Sequence, residues 1–216
     1  MIIAIDGPAG SGKSTTAKLL AEKLKFVYLD TGSMYRAVTL FLLDNKVDYS
    51  VKENIQTILD DLKIDIEYNA GVFSVFLNKK NVSDLIRNSR IDSSVSKISK
   101  IEAVRVKMID IQRSFSKNQN IVIEGRDIAS NVFPNADYKF FIKADIKIRA
   151  KRRLVQSSTN KSITLTQMIE EIKKRDEIDS NRLVAPLLKV DGAIEIDTTN
   201  LSIEDQVHKI YKIINN

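Results

Sequence analysis

The stretch Gly7-Pro8-Ala9-Gly10-Ser11-Gly12-Lys13-Ser14 places four free positions between two glycines and follows the second with lysine and serine, the spacing of a loop that wraps phosphate. Glycine lets successive backbone N–H groups turn inward on an anion. A helix beginning near Lys13 adds unpaired N–H groups and a partial positive charge at the same point. Lys13 can then span the β- and γ-phosphates of a nucleotide, and the Ser14 hydroxyl can ligate Mg²⁺. A glycine-rich turn joining a strand to a helix is the ordinary alternative. Both flanks favour the phosphate reading: Ile2-Ile3-Ala4-Ile5 is an apolar, β-branched run suited to a buried strand, and Ala17, Leu20, Ala21 and Leu24 carry helical spacing across 15–25.

Eleven arginines form the second set of candidates. Arg36 and Arg126 each follow a strand-like run. Arg175, Asp179 and Arg182 stand at i, i+4 and i+7, so one continuous helix would align them in a narrow stripe. Alone, such a stripe is a common surface ion-pair ladder. Beside a phosphate loop it reads differently, because guanidinium groups grip phosphate oxygens bidentately and phosphoryl transfer needs charge neutralised on donor and acceptor together. The single histidine, His208, lies among Val207, Ile210 and Ile213 on the last helix, where a structural or solvent-facing role is expected. A cleft rich in arginine and poor in bases suits an acceptor that is already ionised, such as a phosphate.

The elements that must position these residues alternate. Strands are expected at 26–29, 121–123, 138–142 and 193–196 in addition to the first. Helices are expected after 30–32, at 51–62, 145–156, 166–179 and 202–214, with one long helix or two abutting ones over 92–117. Asp145 is the expected cap of the 145–156 helix. Five strands separated by helices imply a mostly parallel, three-layer α/β sheet. Ligands sit at the carboxyl ends of such strands, which gathers the phosphate loop, Asp30-Thr31-Gly32, Glu124-Gly125-Arg126-Asp127, Lys143-Ala144-Asp145 and Asp197-Thr198-Thr199 on one cleft. One segment breaks the alternation. Ile64, Ile66 and Tyr68, then Val72, Phe73, Val75 and Leu77, flank Asn69-Ala70-Gly71 as a hairpin, so 63–90 reads as an insert.

Composition excludes several classes. With 43% hydrophobic and 29% charged residues the chain is an ordinary globular protein, and no apolar run reaches the length of a membrane span. The N-terminus runs straight into strand and loop, so a cytoplasmic protein with no membrane partner is expected. The absence of cysteine removes disulfides, thiolate metal sites and thiol nucleophiles. The net charge of +6 is spread through helices and loops, with no basic run longer than Lys151-Arg152-Arg153, and so speaks against nucleic acid. Asn45-Lys46-Val47-Asp48 imitates a guanine-reading tetrad but follows a helix near the N-terminus instead of a late sheet strand, and chance explains it.

Taken together, these residues resemble the bacterial cytidylate kinases. The carriers are 5–14, Leu29-Asp30-Thr31-Gly32-Ser33-Met34-Tyr35-Arg36, Glu124-Gly125-Arg126-Asp127, Val132-Phe133-Pro134-Asn135-Ala136, Arg175-Asp176, Asp179, Asn181-Arg182 and Ala185-Pro186-Leu187, which cover nearly the whole chain. The resemblance implies a P-loop NTPase fold with an antiparallel β-containing insert (63–90) that binds a nucleoside monophosphate (NMP), and a short lid at 153–164. It implies a monomer that transfers a phosphoryl group from ATP to CMP or dCMP with Mg²⁺. Gly7 to Thr15, with Arg149 and Arg152, would bind ATP, and Ser14 the metal. Ser96, Arg105 and Asp127 would face cytosine, Arg175 and Asp179 the ribose, Arg36, Arg126 and Arg182 the acceptor phosphate, and Thr31 the substrate. Lys13, Arg126, Arg153 and Arg182 would be catalytic.

Two departures stand out. Glu124 takes the place of the family's usual Asp, and Glu102 that of a frequent Pro. Ser96 and Arg105 are nine residues apart, half a turn out of phase, and can face one base only if the helix breaks between them. The competing functions are a P-loop kinase for another small acceptor and a nucleotide-binding switch without acceptor chemistry.

Overall fold

The computed structural model describes residues 1–49, 51–69, 71–156 and 163–215. Five parallel strands form the central sheet in the order β2-β6-β1-β7-β8: β1 Ile2–Asp6, β2 Val27–Asp30, β6 Ile121–Gly125, β7 Tyr138–Lys143 and β8 Ile194–Asp197. The strand that feeds the phosphate loop is therefore central. Its side chains alternate between two cores, as the period of two along a strand requires. Ile3 and Ile5 face one side with Val122, Phe140 and Ile142. On that side they meet Ala17, Leu20 and Ala21 of α1 (Lys13–Leu24) and Val207 and Ile210 of α8 (Ile203–Asn215). Ala4, Leu29, Ile121 and Ile123 face the other side, against Met34 and Val38 of α2 (Thr31–Asp44) and Val104 and Met108 of α5 (Glu102–Phe115). Leu20, Ile3 and Ile5 are wholly buried, each worth about 2 kcal/mol of transfer free energy. This is the expected three-layer α/β arrangement.

The expected insert is a separate three-stranded antiparallel sheet of β3 (Ile64–Asn69), β4 (Val72–Leu77) and β5 (Lys80–Asn81). Its register pairs Asn69 with Val72, which places the turn where the sequence marks it; Ala70 itself lies outside the described residues. Edge-on contacts of the Tyr28 ring with Tyr68 and Phe73 dock this sheet on β2. The helix expected at 51–62 is the shorter α3, Lys52–Asp60.

The apolar period over 92–117 resolves into two helices, α4 (Ser89–Ile98) and α5, parted at 99–101. No proline is needed there. Ile101 takes an extended ψ of 121° as N-cap, and Glu102 places a carboxylate in the first turn of α5, where the helix dipole favours it. Helix α6 (Ile146–Gln156) starts on Asp145, whose Oδ1 accepts from the Lys147 and Ile148 amides as expected. The expected lid loop at 157–162 lies outside the described residues. Helix α7 (Leu165–Ser180) opens on a capping box of Thr164 and Gln167 and ends before Arg182, so the expected Arg175-Asp179-Arg182 stripe is not one helix face. Arg182 instead reaches back from the following turn.

The phosphate loop is packed as tightly as its composition suggests. A Cβ at Gly7 would lie 2.1 Å from the Ile142 carbonyl oxygen, whereas one at Gly192, also at positive φ, would meet nothing within 4 Å. Gly192→Ala is expected to cost only left-handed backbone strain, about 1 kcal/mol or about 3 °C in Tm. Gly7→Ala must also move the β7 backbone, so calorimetry should find at least twice that loss; equal shifts would refute the close approach.

Candidate active site

The loop between β1 and α1 is braced from four directions. The Thr198 hydroxyl, past the end of β8, donates to the Ser11 carbonyl at 2.8 Å. Arg152 donates to the same carbonyl and to Thr198. Arg149 donates to the carbonyl of Ala9 (3.1 Å) and to Asp176 on α7, while the Ala9 amide donates to the other Asp176 oxygen. Below the loop, the Asp6 carboxylate accepts from the Ile128 and Ala129 amides of a π-helical turn (Ile128–Val132), fixing β1 to the segment after β6. Gly12 caps α1 in the left-handed conformation and Gly10 is also at positive φ, which a glycine adopts without strain.

Lys13 is buried at 6% exposure, its ammonium donating to the Pro8 carbonyl (3.2 Å) and lying 3.9 Å from Glu124. Burial pushes the ammonium down and, with Asp30 alongside in the next strand, pushes the Glu124 carboxyl up. The pair is a charge couple held in low dielectric. Ser14 Oγ donates to Glu124 Oε1 at 2.6 Å. Two hard oxygen donors thus sit side by side at the loop. Mg²⁺ keeps several waters and takes one or two protein oxygens plus substrate phosphates, so this donor set fits it. It does so although no group of three acidic or histidine ligands occurs among the described residues. Thr15 is exposed on the first turn of α1, and the Thr31 hydroxyl is committed to the Glu124 carbonyl at 2.7 Å.

Opposite the loop lies the arginine cluster. Arg126 Nε donates to Asp179 Oδ2 at 2.9 Å, and Arg182 Nε donates to the Asp179 carbonyl at 3.2 Å. Burial opposes the charge of Asp179, but Arg126, Arg175 and Arg182 together hold its carboxyl below the ordinary value. Arg175 pays for its position: burial first, then Arg126, pushes its guanidinium down to about 10. Its Nε and the Arg182 Nη2 are buried without a hydrogen-bond partner among the described residues. Arg36 donates to the Ile86 carbonyl and to Asp92 on α4, and Asp92 also takes Arg153.

Farther in, Arg105 (1% exposed) pairs with Asp127 (4% exposed), with the guanidinium over the Tyr35 ring and a second bond to the Ser99 carbonyl. Removing either partner would strand a buried charge, at about 3–5 kcal/mol. Ser96 is half-buried on α4, and its side chain makes no hydrogen bond among the described residues; only its carbonyl is used, by Ser99. The break at 99–101 meets the geometric condition for Ser96 and Arg105 to share a ligand, but no contact joins them. His208 is exposed on α8, and Asn45 merely closes α2 by bonding the Phe41 carbonyl.

For three residues here the sequence gives no signal of the partner. Asp92 meets Arg36 and Arg153. Asp176, one of the carriers of the resemblance, meets Arg149. Thr198, expected at the cleft as part of a strand end, reaches the Ser11 carbonyl through the sheet order.

These geometries agree with what the chain is similar to. Residues 3–216 match the cytidylate kinase family. A cytidylate kinase of Fusobacterium nucleatum is 45% identical over 215 residues, covering 99% of this chain and 97% of that protein. One of Clostridioides difficile is 42% identical over 216 residues, covering 100% and 98%. Among solved structures, an uncharacterised protein from Eubacterium ventriosum superposes with a TM-score of 0.54 at 14% identity, over 100% of this chain and 99% of that one. A shikimate kinase from Bacteroides thetaiotaomicron gives 0.50 at 14% identity, with the same coverage. At such identities these two speak for the P-loop kinase fold alone. With a family match along 3–216 and relatives similar over nearly their full length, the chain belongs to the cytidylate kinase family.

Proposed function

We propose that the protein transfers the γ-phosphoryl group of ATP to the phosphate of CMP or dCMP, acting as a cytoplasmic monomer. The observation that carries this reading is the closeness of two sites. Lys13 of the phosphate loop lies near enough to Arg126, Arg175 and Asp179 for each to act on its charge, and Arg126 and Arg182 both bond Asp179. The buried Arg105–Asp127 pair behind them supplies both a donor and a carboxylate acceptor, the complement of a cytosine edge with its amino group and ring acceptors.

In this reading the loop amides and Lys13 hold the donor phosphates. Ser14 and Glu124 would hold Mg²⁺, which supplies neutralisation of charge on the transferring group. Arg36, Arg126 and Arg182 orient the acceptor phosphate, and one of its oxygens attacks the γ-phosphorus as the bond to the ADP oxygen breaks. The attacking oxygen is already ionised near neutral pH, so no side chain must take a proton. Arg175 and Asp179 would meet the ribose, and Ser96 the base beside Arg105. Arg153 and the 153–164 lid would close over ATP and exclude water. Arg149 and Arg152 are occupied by carbonyls of the loop, so their part in ATP binding would be to shape the loop that holds its phosphates.

The deciding assay is ADP release from MgATP with CMP, dCMP, UMP, AMP, GMP or no acceptor. Selective turnover of CMP and dCMP is expected, and selective turnover of another monophosphate would overturn the base reading. Lys13→Met should lower kcat by about a hundredfold or more with the fold intact, since it removes a buried cation from the transferring charge; near-normal turnover would refute its role. Asp127→Asn keeps the shape but removes the charge and turns one of the two acceptor oxygens into a donor. It should raise the KM for CMP about tenfold while the KM for ATP stays within about twofold.

A further inference from the structure

The arginine cluster holds two carboxylates of different kinds. Asp179 is 4% exposed, its carboxylate held by Arg126 and its backbone carbonyl by Arg182. Asp92, in the first turn of α4, has a side chain 39% exposed, and one of its oxygens, Oδ1, accepts from both Arg36 Nη2 (2.5 Å) and Arg153 Nη2 (3.3 Å). Its two partners come from different parts of the fold. Arg36 lies on α2, and Arg153 lies in the last turn of α6. Burial raises the Asp92 carboxyl, but Arg36, Arg153 and Arg175 outweigh it and keep the group ionised.

We propose that Asp92 is a displaceable counterion: in the acceptor-free enzyme it stands in for the acceptor's phosphate, holding Arg36 and Arg153 together, and when the nucleotide binds it yields Arg36 to that phosphate and releases Arg153. A carboxylate oxygen shared by two guanidinium groups imitates one phosphate oxygen. Without it, Arg36, Arg153 and Arg175 would repel one another in a half-buried cleft. With it, a dianion that offers more oxygens and more charge can displace it, and the half-exposed side chain has solvent to turn into. The consequence is a link between the two substrates, because Arg153 is free to act toward ATP only when an acceptor has taken the place of Asp92. The proposal rests on the reading that Arg36 binds the acceptor phosphate.

The test compares CMP with cytidine by titration calorimetry on wild type, Asp92→Asn, Asp92→Ala and Arg36→Ala. Removing the competing charge should tighten CMP by about fivefold, the scale of one half-exposed ion pair, and leave cytidine unchanged. The alanine variant guards against asparagine retaining the hydrogen bonds. Weaker or unchanged CMP binding in both Asp92 variants, with CMP still lost in Arg36→Ala, would overturn the counterion proposal and leave the acceptor reading standing. Unchanged CMP binding in Arg36→Ala would overturn the acceptor reading beneath it. ATP hydrolysis by water in the absence of acceptor should rise in both Asp92 variants; an unchanged rate would overturn the role assigned to Arg153.

Discussion

The dominant constraint on this protein is the assembly of many like charges in one partly dry cleft. Lys13, Arg36, Arg126, Arg153, Arg175 and Arg182 all act on one another or on shared acids, and burial first, then the neighbouring guanidinium groups, push Lys13 and Arg175 below their ordinary values. Four of these cations have a carboxylate placed against them: Glu124 for Lys13, Asp179 for Arg126, and Asp92 for Arg36 and Arg153. The acids come from β6, α7 and α4, so the charge balance of the site is also a set of bonds between elements that would otherwise be independent.

The same economy holds around the phosphate loop. A loop whose amides must stay open to a ligand cannot satisfy its own carbonyls by regular structure, so those carbonyls are taken by outside donors. Thr198, Arg152 and Arg149 do this for Ser11 and Ala9, and the Lys13 ammonium does it for Pro8. Parallel pairing of β1 with β6 and β7 sets the carboxyl ends of three strands beside one another, which is what lets Asp6, Glu124 and the Ile142 carbonyl border one loop.

Glu124 fits this arrangement. Its side chain reaches Ser14 Oγ at 2.6 Å while staying 3.9 Å from Lys13, so one carboxylate serves both the hydroxyl and the ammonium. Arg105 and Asp127 show the other extreme, an ion pair buried so fully that it belongs to the core as much as to the cleft.

What the sequence determined by itself was whatever depends on local period and local backbone chemistry. The strand–loop–helix unit around Lys13, the five sheet strands, the hairpin within 63–90 and the Asp145 cap are all legible because apolar alternation, glycine spacing and capping are written in neighbouring residues. So is the cleft as a place, since strand ends in a parallel sheet must converge. Only the tertiary structure decided which charge meets which. Nothing near Asp92 in the chain points to Arg153, sixty-one residues away, and nothing near Asp176 points to Arg149. The i, i+4, i+7 spacing even misplaced Arg182, because α7 stops at Ser180 and the guanidinium returns from the turn. Long charged side chains choose partners by the distance and dielectric that the folded chain creates, and neither quantity has a local signature in sequence.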